Sequence, residues 1–314
     1  MHSTLLKRAA YLLRMGLELL VAGGILLGSA AGQTDESEAP AEQAPPAAAV
    51  FQNPIPGDRL TFMNEYAGQP AKKLLNDKRF HGLMKTIVPR TVYHYGRDMG
   101  LTETVETVIF GSHLPVTVRE GRYVTVSGRE GPYLDGRGFL WFDIKEGIAL
   151  GGVYFHPVNG EPTPTLAIFS RQLTQTALSM SQLPLAFAED ESQWAARMHV
   201  PVTSPRYFIP DDGKKYVLVH DEDFCDHPVN APAPPESVCE QLNLEAADAD
   251  LRAAYFMKQT HNAANATAWM LDGFLPLQAG LEVLSEKSCK TAPNRARCRV
   301  RVTRQRTQAL LAQR

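Results

Sequence analysis

The chain has 314 residues, 32 Lys and Arg against 34 Asp and Glu, a formal net charge of -2 and 44% hydrophobic residues. That length suits about two ordinary domains, and the near balance of charge excludes a whole-protein field of the kind that holds nucleic acid or an anionic membrane. Four cysteines and 22 prolines exclude a dense disulfide scaffold and wholesale disorder.

At the N-terminus, Lys7, Arg8 and Arg14 precede an apolar run from Leu19 to Leu27, which ends in the small residues Gly28, Ser29, Ala30, Ala31 and Gly32. A basic stretch, a short apolar stretch and a small-residue end predict a secretory signal peptide over 1–32. The run is short for a bilayer span, which takes about 20 apolar residues, and no cysteine follows it for a lipid anchor. The expected location is periplasmic or secreted, with no stable membrane span after cleavage. From Gln33 to Val50 the chain is Ala, Pro, Glu and Gln with almost no bulky apolar residue. Such a stretch buries too little surface to offset its ordering entropy, so 33–57 reads as a flexible linker.

A first folded unit is expected over 58–185. Leu74, Leu75, Phe80, Leu83, Met84 and Ile87 recur at helical spacing and predict a helix over 64–87, stopped by Pro89. Strands follow over 105–110, 116–126, 138–144, 149–155 and 165–169, with turn-like positions at Ser112, His113, Glu120 and Gly121. One helix and a run of closely spaced strands predict an α+β unit, a helix packed on an antiparallel sheet.

The stretch from Tyr123 through Arg129 to Gly136, with Leu140, Trp141 and Phe142 and then Gly152, Val153, Tyr154 and Phe155, resembles the inhibitor-of-vertebrate-lysozyme family of periplasmic proteins. That resemblance implies a helix on a sheet and a rigid loop that plugs the glycan cleft of a lysozyme. The family's loop is a Cys-Lys-Pro-His-Asp-Cys hexapeptide closed by a disulfide. Here the corresponding positions are Arg129, Glu130, Gly131, Pro132, Tyr133 and Leu134, so no inhibitory residue carries over. Gly131 and Pro132 still make a turn. The candidate binding loop is Arg129, Glu130, Pro132, Tyr133 and Asp135, with Arg129 placed to pair with a catalytic acid. Tyr133 reads either as an interface anchor stacking in a sugar subsite or as a cover for the end of the sheet.

A helix is expected over 172–182, ended by Pro184. Between 186 and 238 the chain reads as a β-hairpin connector, strand-like over 199–209 and 215–218 around the turn Pro210, Asp211, Asp212, Gly213. Next come His220, Asp221, Glu222, Asp223, Cys225, Asp226 and His227. These are metal-ligand residue types, but their spacing matches no zinc motif. A solvated acidic turn before a disulfide is expected, with a metal site as the alternative; no metal and no cofactor is assigned.

All four cysteines, Cys225, Cys239, Cys289 and Cys298, fall in the C-terminal part of the chain. In an exported protein they most economically form two disulfides, and four cysteines allow three pairings. The local pairing, Cys225 with Cys239 and Cys289 with Cys298, closes two small loops. Helical patterns cover 242–271, then 277–284 after a break at Pro276, then 298–311. They predict a small disulfide-braced α-helical domain over 239–314. Asp248, Asp250, Leu251 and Tyr255, then Ser285, Glu286 and Cys289, then Cys298, Val302, Thr303, Arg306, Thr307 and Leu310 resemble the LprI-like domains, small secreted helical domains named for a lysozyme inhibitor.

Lys287, Lys290, Arg295, Arg297, Arg299, Arg301, Arg304 and Arg306 follow Glu286, after which no acid occurs. They read either as a cationic face for anionic partners such as wall polymers or as a solvated helix face near a C-terminus. Vertebrate-type lysozymes are basic, so this face would repel them and is not the expected inhibitory surface. No nucleophile elbow, zinc-protease motif, phosphate-binding loop or dinucleotide-binding glycine pattern occurs. Scattered acids such as Asp135 and Asp143 are compatible with glycosidase chemistry without pointing to it. The chain is therefore expected to be no enzyme but a binding protein with a protein partner, a lysozyme-type wall hydrolase whose cleft it occludes, and without a nucleic-acid partner. The alternative is a cell-envelope interaction or immunity-type protein that does not inhibit lysozyme.

Overall fold

Alternating side chains in the middle of the chain build the sheet. Phe139 and Trp141 belong to one buried cluster, Leu140 and Phe142 to another, the period-two split of a strand covered on both faces. The computed structural model describes residues 50–110, 112–129, 135–155, 163–226, 235–260 and 268–312, all within one compact unit, Ala44–Arg314. The expected signal peptide and most of the linker lie outside the described residues.

The fold is α+β, as expected. Before the sheet come two 3-10 turns, α1 (Ala71–Leu75), α2 (Lys78–Ile87) and a small hairpin of β1 (Val92–His94) and β2 (Asp98–Gly100). The single helix expected over 64–87 is thus broken. Gly68 has φ +73°, Pro70 precedes α1, and Asp77 caps α2 by accepting from the Arg79 backbone N–H at 2.7 Å.

The segment expected as a strand over 105–110 is instead α3 (Leu101–Phe110). Leu101, Thr104, Val105, Val108 and Ile109 are its buried residues, at helical rather than alternating spacing. Gly128 lets this helix lie against the sheet: a Cβ there would stand 2.5 Å from the Ile109 Cα.

The eight-stranded sheet contains β3 (Thr117–Arg119), β4 (Tyr123–Arg129), β5 (Arg137–Asp143), β6 (Ile148–Phe155), β7 (Thr165–Phe169), β8 (Leu178–Ser179), β9 (Arg206–Ile209) and β10 (Tyr216–Val219). Their spatial order is β3-β4-β5-β6-β7-β9-β10-β8. Strands β3 to β7 form an antiparallel meander, β9 and β10 an antiparallel hairpin, and the joins β7 to β9 and β10 to β8 are parallel. The hairpin expected in a connector therefore continues the main sheet, with Gly213 at φ +71° turning it.

The helix expected over 172–182 is also displaced. That segment holds β8 and a 3-10 turn, and the helix is α4 (Leu185–Met198), with Pro184 just before its first turn. Proline there is preset for a helix start rather than a stop. Helix α4 packs Phe187, Trp194, Ala195 and Met198 on the face carrying Phe139 and Trp141, and Asp190 registers it by accepting from Trp141 Nε1 at 2.8 Å and Arg119 Nε at 3.1 Å. Helices α1 to α3 cover the opposite face, so the sheet has helices on both sides rather than one.

The C-terminal helices are α5 (Glu236–Thr260), α6 (Ala268–Cys289) and α7 (Arg295–Ala312). The part of the expected long helix over 261–267 lies outside the described residues. Pro276 does not interrupt α6, which runs through it. The disulfides are Cys225–Cys239 and Cys289–Cys298. Leu251, Ala254, Leu281 and Leu310 pack with Tyr207 of β9 and Val217 of β10, so these helices close over the end of the sheet.

Candidate functional site

The β4–β5 hairpin carries the candidate binding loop. The strands pair as far as Arg129 opposite Arg137, and the tip residues Glu130, Gly131, Pro132, Tyr133 and Leu134 lie outside the described residues. The base of the tip is described, and it is clamped by charge. Asp135 Oδ1 accepts from Arg129 Nη2 at 2.7 Å, and Oδ2 accepts from Arg137 Nη2 at 2.8 Å. Burial pushes the Asp135 carboxyl up, but the Arg129 hydrogen bond and the Arg137 charge more than offset it and hold it below the usual aspartate range.

The clamp rests on a packed floor. The Arg137 side chain is only 12% exposed and its guanidinium lies 5.5 Å from the Tyr154 ring centroid. Asp135 turns the chain at φ +50°. Next to it, a Cβ on Gly136 would stand 1.9 Å from the Tyr95 hydroxyl, and Tyr95 is itself buried against Phe155. Arg129, expected as a free guanidinium for a target's acid, is engaged as a closing residue.

Asp143, the other acid compatible with glycosidase chemistry, is a structural group. Its carboxylate accepts from Arg122 Nε at 2.8 Å and Nη2 at 2.7 Å and from the Lys145 and Glu146 backbone N–H groups.

The His/Asp/Cys run after β10 is not one solvated turn. His220 is fully buried, with Nδ1 2.6 Å from Asp250 Oδ1 of α5 and its backbone N–H donating to Asp250 Oδ2 at 2.8 Å. Cys225 is in its disulfide, and His227 lies outside the described residues. Among the described residues no group of three or more His, Cys, Asp or Glu is arranged to hold a metal ion. Beside His220 runs a charged chain that sequence reasoning missed: Arg206 of β9 lies 3.5 Å from Glu191 of α4 and 2.8 Å from Glu222. Glu191 betrays itself in the sequence, since it sits on the same helical stripe as Phe187 and Trp194, where an acid needs a buried partner.

Two further features offer chemistry. Under the β1–β2 hairpin a cleft of about 320 Å³ is lined by His94, Asp98, Tyr207 and Lys215. His94 Nδ1 is 2.8 Å from Asp98 Oδ1, but among the described residues no serine or cysteine lines this cleft, and neither of its threonines, Thr91 and Thr165, is hydrogen-bonded to His94 Nε2. Most of the basic run lies on α7, with Lys290 in the turn before it, and Lys290, Arg295, Arg299, Arg301 and Arg306 have no side-chain ion pair or hydrogen bond among the described residues. No family model, curated protein or solved structure matches the chain.

Proposed function

We propose that the chain is an exported binding protein that inhibits a lysozyme-type wall hydrolase, placing the β4–β5 tip in the enzyme's glycan cleft. The observation that carries this reading is the Arg129–Asp135–Arg137 clamp. In the family that the segment resembles, a disulfide closes the inhibitory loop; here an arginine stands at the first of those cysteine positions and an ion pair closes the base. A plug must be ordered before it binds, because ordering a loop on contact subtracts from affinity. The two disulfides support an oxidising compartment, where wall hydrolases act.

The work of occlusion falls to Glu130, Pro132 and Tyr133 at the tip, since Arg129 and Asp135 hold the base. The test is lysis of wall suspensions by several muramidase types with the full mature chain in micromolar excess. Inhibition of at least one type is expected, and Asp135→Ala, which releases both arginines, should weaken it roughly tenfold by loosening the tip. Undiminished lysis by every type overturns the reading.

A further inference from the structure

The grooves that flank α7 carry charge that the hairpin reading leaves unused. Along one side, a groove of about 370 Å³ runs between α5 and α7 and is lined by Arg297, Arg301, Arg304, Asn243, Gln305 and Gln308. A larger one, about 590 Å³, lies among α5, α6 and α7 and presents Lys290, Arg295 and Arg299 with Ser237, Gln241 and Ser285. Glu240 and Ala296 line both, so the grooves adjoin around the first half of α7.

Among the described residues, the six cations of the two grooves outnumber the three acids that line them, Asp223, Glu240 and Glu286. Asp223 accepts from the Cys225 backbone N–H at 2.9 Å and from Asn243 Nδ2 at 2.6 Å, and Glu240 Oε1 accepts from Asn294 Nδ2 at 2.6 Å. These hydrogen bonds come from neutral donors, and the Cys225 and Asn243 bonds, together with the charges of Arg297 and Arg304, hold the Asp223 carboxyl below the usual aspartate range against the effect of burial. Arg304 donates Nη2 to the Glu222 carbonyl at 3.0 Å, while its Nε is buried without a partner. Cations are thus left facing a concave surface, an arrangement that favours an anion.

The spacing selects an extended anion. Arg297, Arg301 and Arg304 follow one another along α7 at i, i+4 and i+7, which at 1.5 Å per residue places them about 6 Å and about 4.5 Å apart along the axis. A single small anion would engage one of them; a chain with a charge on each repeating unit engages all three. The other polar lining groups are side-chain amides and hydroxyls, which suit sugar hydroxyls, and the carboxylates of Asp223, Glu240 and Glu286. Among the described residues no aromatic side chain lines either groove, which disfavours single-stranded nucleic acid, whose bases need stacking platforms.

We infer that the adjoining grooves around α7 bind a linear acidic polysaccharide, with Arg297 and Arg301 as its main charge contacts. This site is separate from the hairpin tip and gives the chain a polymer to hold while the tip acts on a protein.

The test is calorimetric titration of the full mature chain with an oligogalacturonate of defined length at low salt. A neutral malto-oligosaccharide, an oligothymidylate and phosphatidylglycerol vesicles serve as parallel probes. Oligogalacturonate should bind, weakening as salt rises, and should do so more tightly than the other three. Arg297→Gln/Arg301→Gln should lose roughly tenfold in affinity, whereas Arg306→Gln, which removes a cation outside both grooves, should not. The double variant should inhibit lysis as the parent does, which separates this site from the hairpin. Absence of binding, an equal loss in Arg306→Gln, or equal or tighter binding of oligothymidylate or vesicles overturns the inference.

Discussion

Arg206 illustrates how one buried charge organises its neighbourhood. Its side chain is 6% exposed and faces Glu191, 4% exposed, and the half-buried Glu222. Burial disfavours the charged guanidinium, but the two carboxylates more than compensate, and its pKa stays above the ordinary arginine value. Truncating one partner of such a pair strands the other in a low-dielectric interior. Glu191→Ala/Glu222→Ala, which removes both carboxylates, should therefore destabilise the fold by roughly 3–5 kcal/mol, read as a lower urea midpoint, and Glu191→Ala alone by less because Glu222 stays 2.8 Å from Arg206; a shift under about 1 kcal/mol in the double variant would mean that water reaches Arg206. Asp143 is a second such residue, and its effect is pH-dependent. Burial raises its carboxyl, yet the Arg122 hydrogen bonds and the Glu146 backbone N–H bring it below the usual range. A depressed folded-state value means that its contribution is complete above the ordinary aspartate pKa of about 3.9 and is lost as pH falls through the folded-state value. Acid titration of stability between about pH 5 and pH 2 should show that loss, and Asp143→Asn should flatten it. Neither residue's role was legible from composition. Glu191 had a stripe to betray it, while Asp143 closes a turn through backbone N–H groups that no sequence pattern marks.

Elements were legible where periodicity and local chemistry agreed. Strands β5, β6 and β7 fall within a residue or so of the expected spans at each end, because their apolar residues are bounded by turns. Helix α3 was missed because Val105, Val108 and Ile109 are β-branched, and strand propensity outweighed the i, i+3, i+4 spacing that the structure obeys. Helix α4 was misplaced because Pro184 serves equally as a stop after one segment or a start before the next, and only the stripe of Phe187, Glu191 and Trp194 tells them apart. The disulfides behave as local staples. Cys225–Cys239 ties the chain after β10 to the first turns of α5, at a sequence separation of 14. Replacing both cysteines by serine should cost about 3 kcal/mol in the chain-entropy account. Denaturant unfolding of Cys225→Ser/Cys239→Ser checks this, and unchanged stability would show that the acidic turn is held by Asn243 and Asp223 instead.

At the scale of the whole molecule, the expected boundary near residue 186 dissolves, because β9 pairs in parallel with β7 and carries the sheet across it. The parallel join was illegible in the sequence, since β7 and β9 are distant in the chain and nothing local specifies their register. Its consequence is mechanical. Tyr207 and Val217 cannot stay buried without Leu251 and Leu310 above them, and His220 at the end of β10 cannot stay buried without Asp250. The C-terminal helices and the sheet therefore share one core and should unfold together. Urea unfolding of Trp269→Phe, which leaves Trp141 and Trp194 of the sheet-α4 layer as the only tryptophans, followed by helical circular dichroism, dominated by α5 to α7, and by tryptophan fluorescence should give coincident midpoints. A helical transition that precedes the tryptophan transition would show instead that the disulfide-braced helices stand as a domain of their own. Coincidence would mean that a ligand held at α7 stabilises the hairpin's scaffold as well, because whatever binds only the folded state shifts the whole unfolding equilibrium.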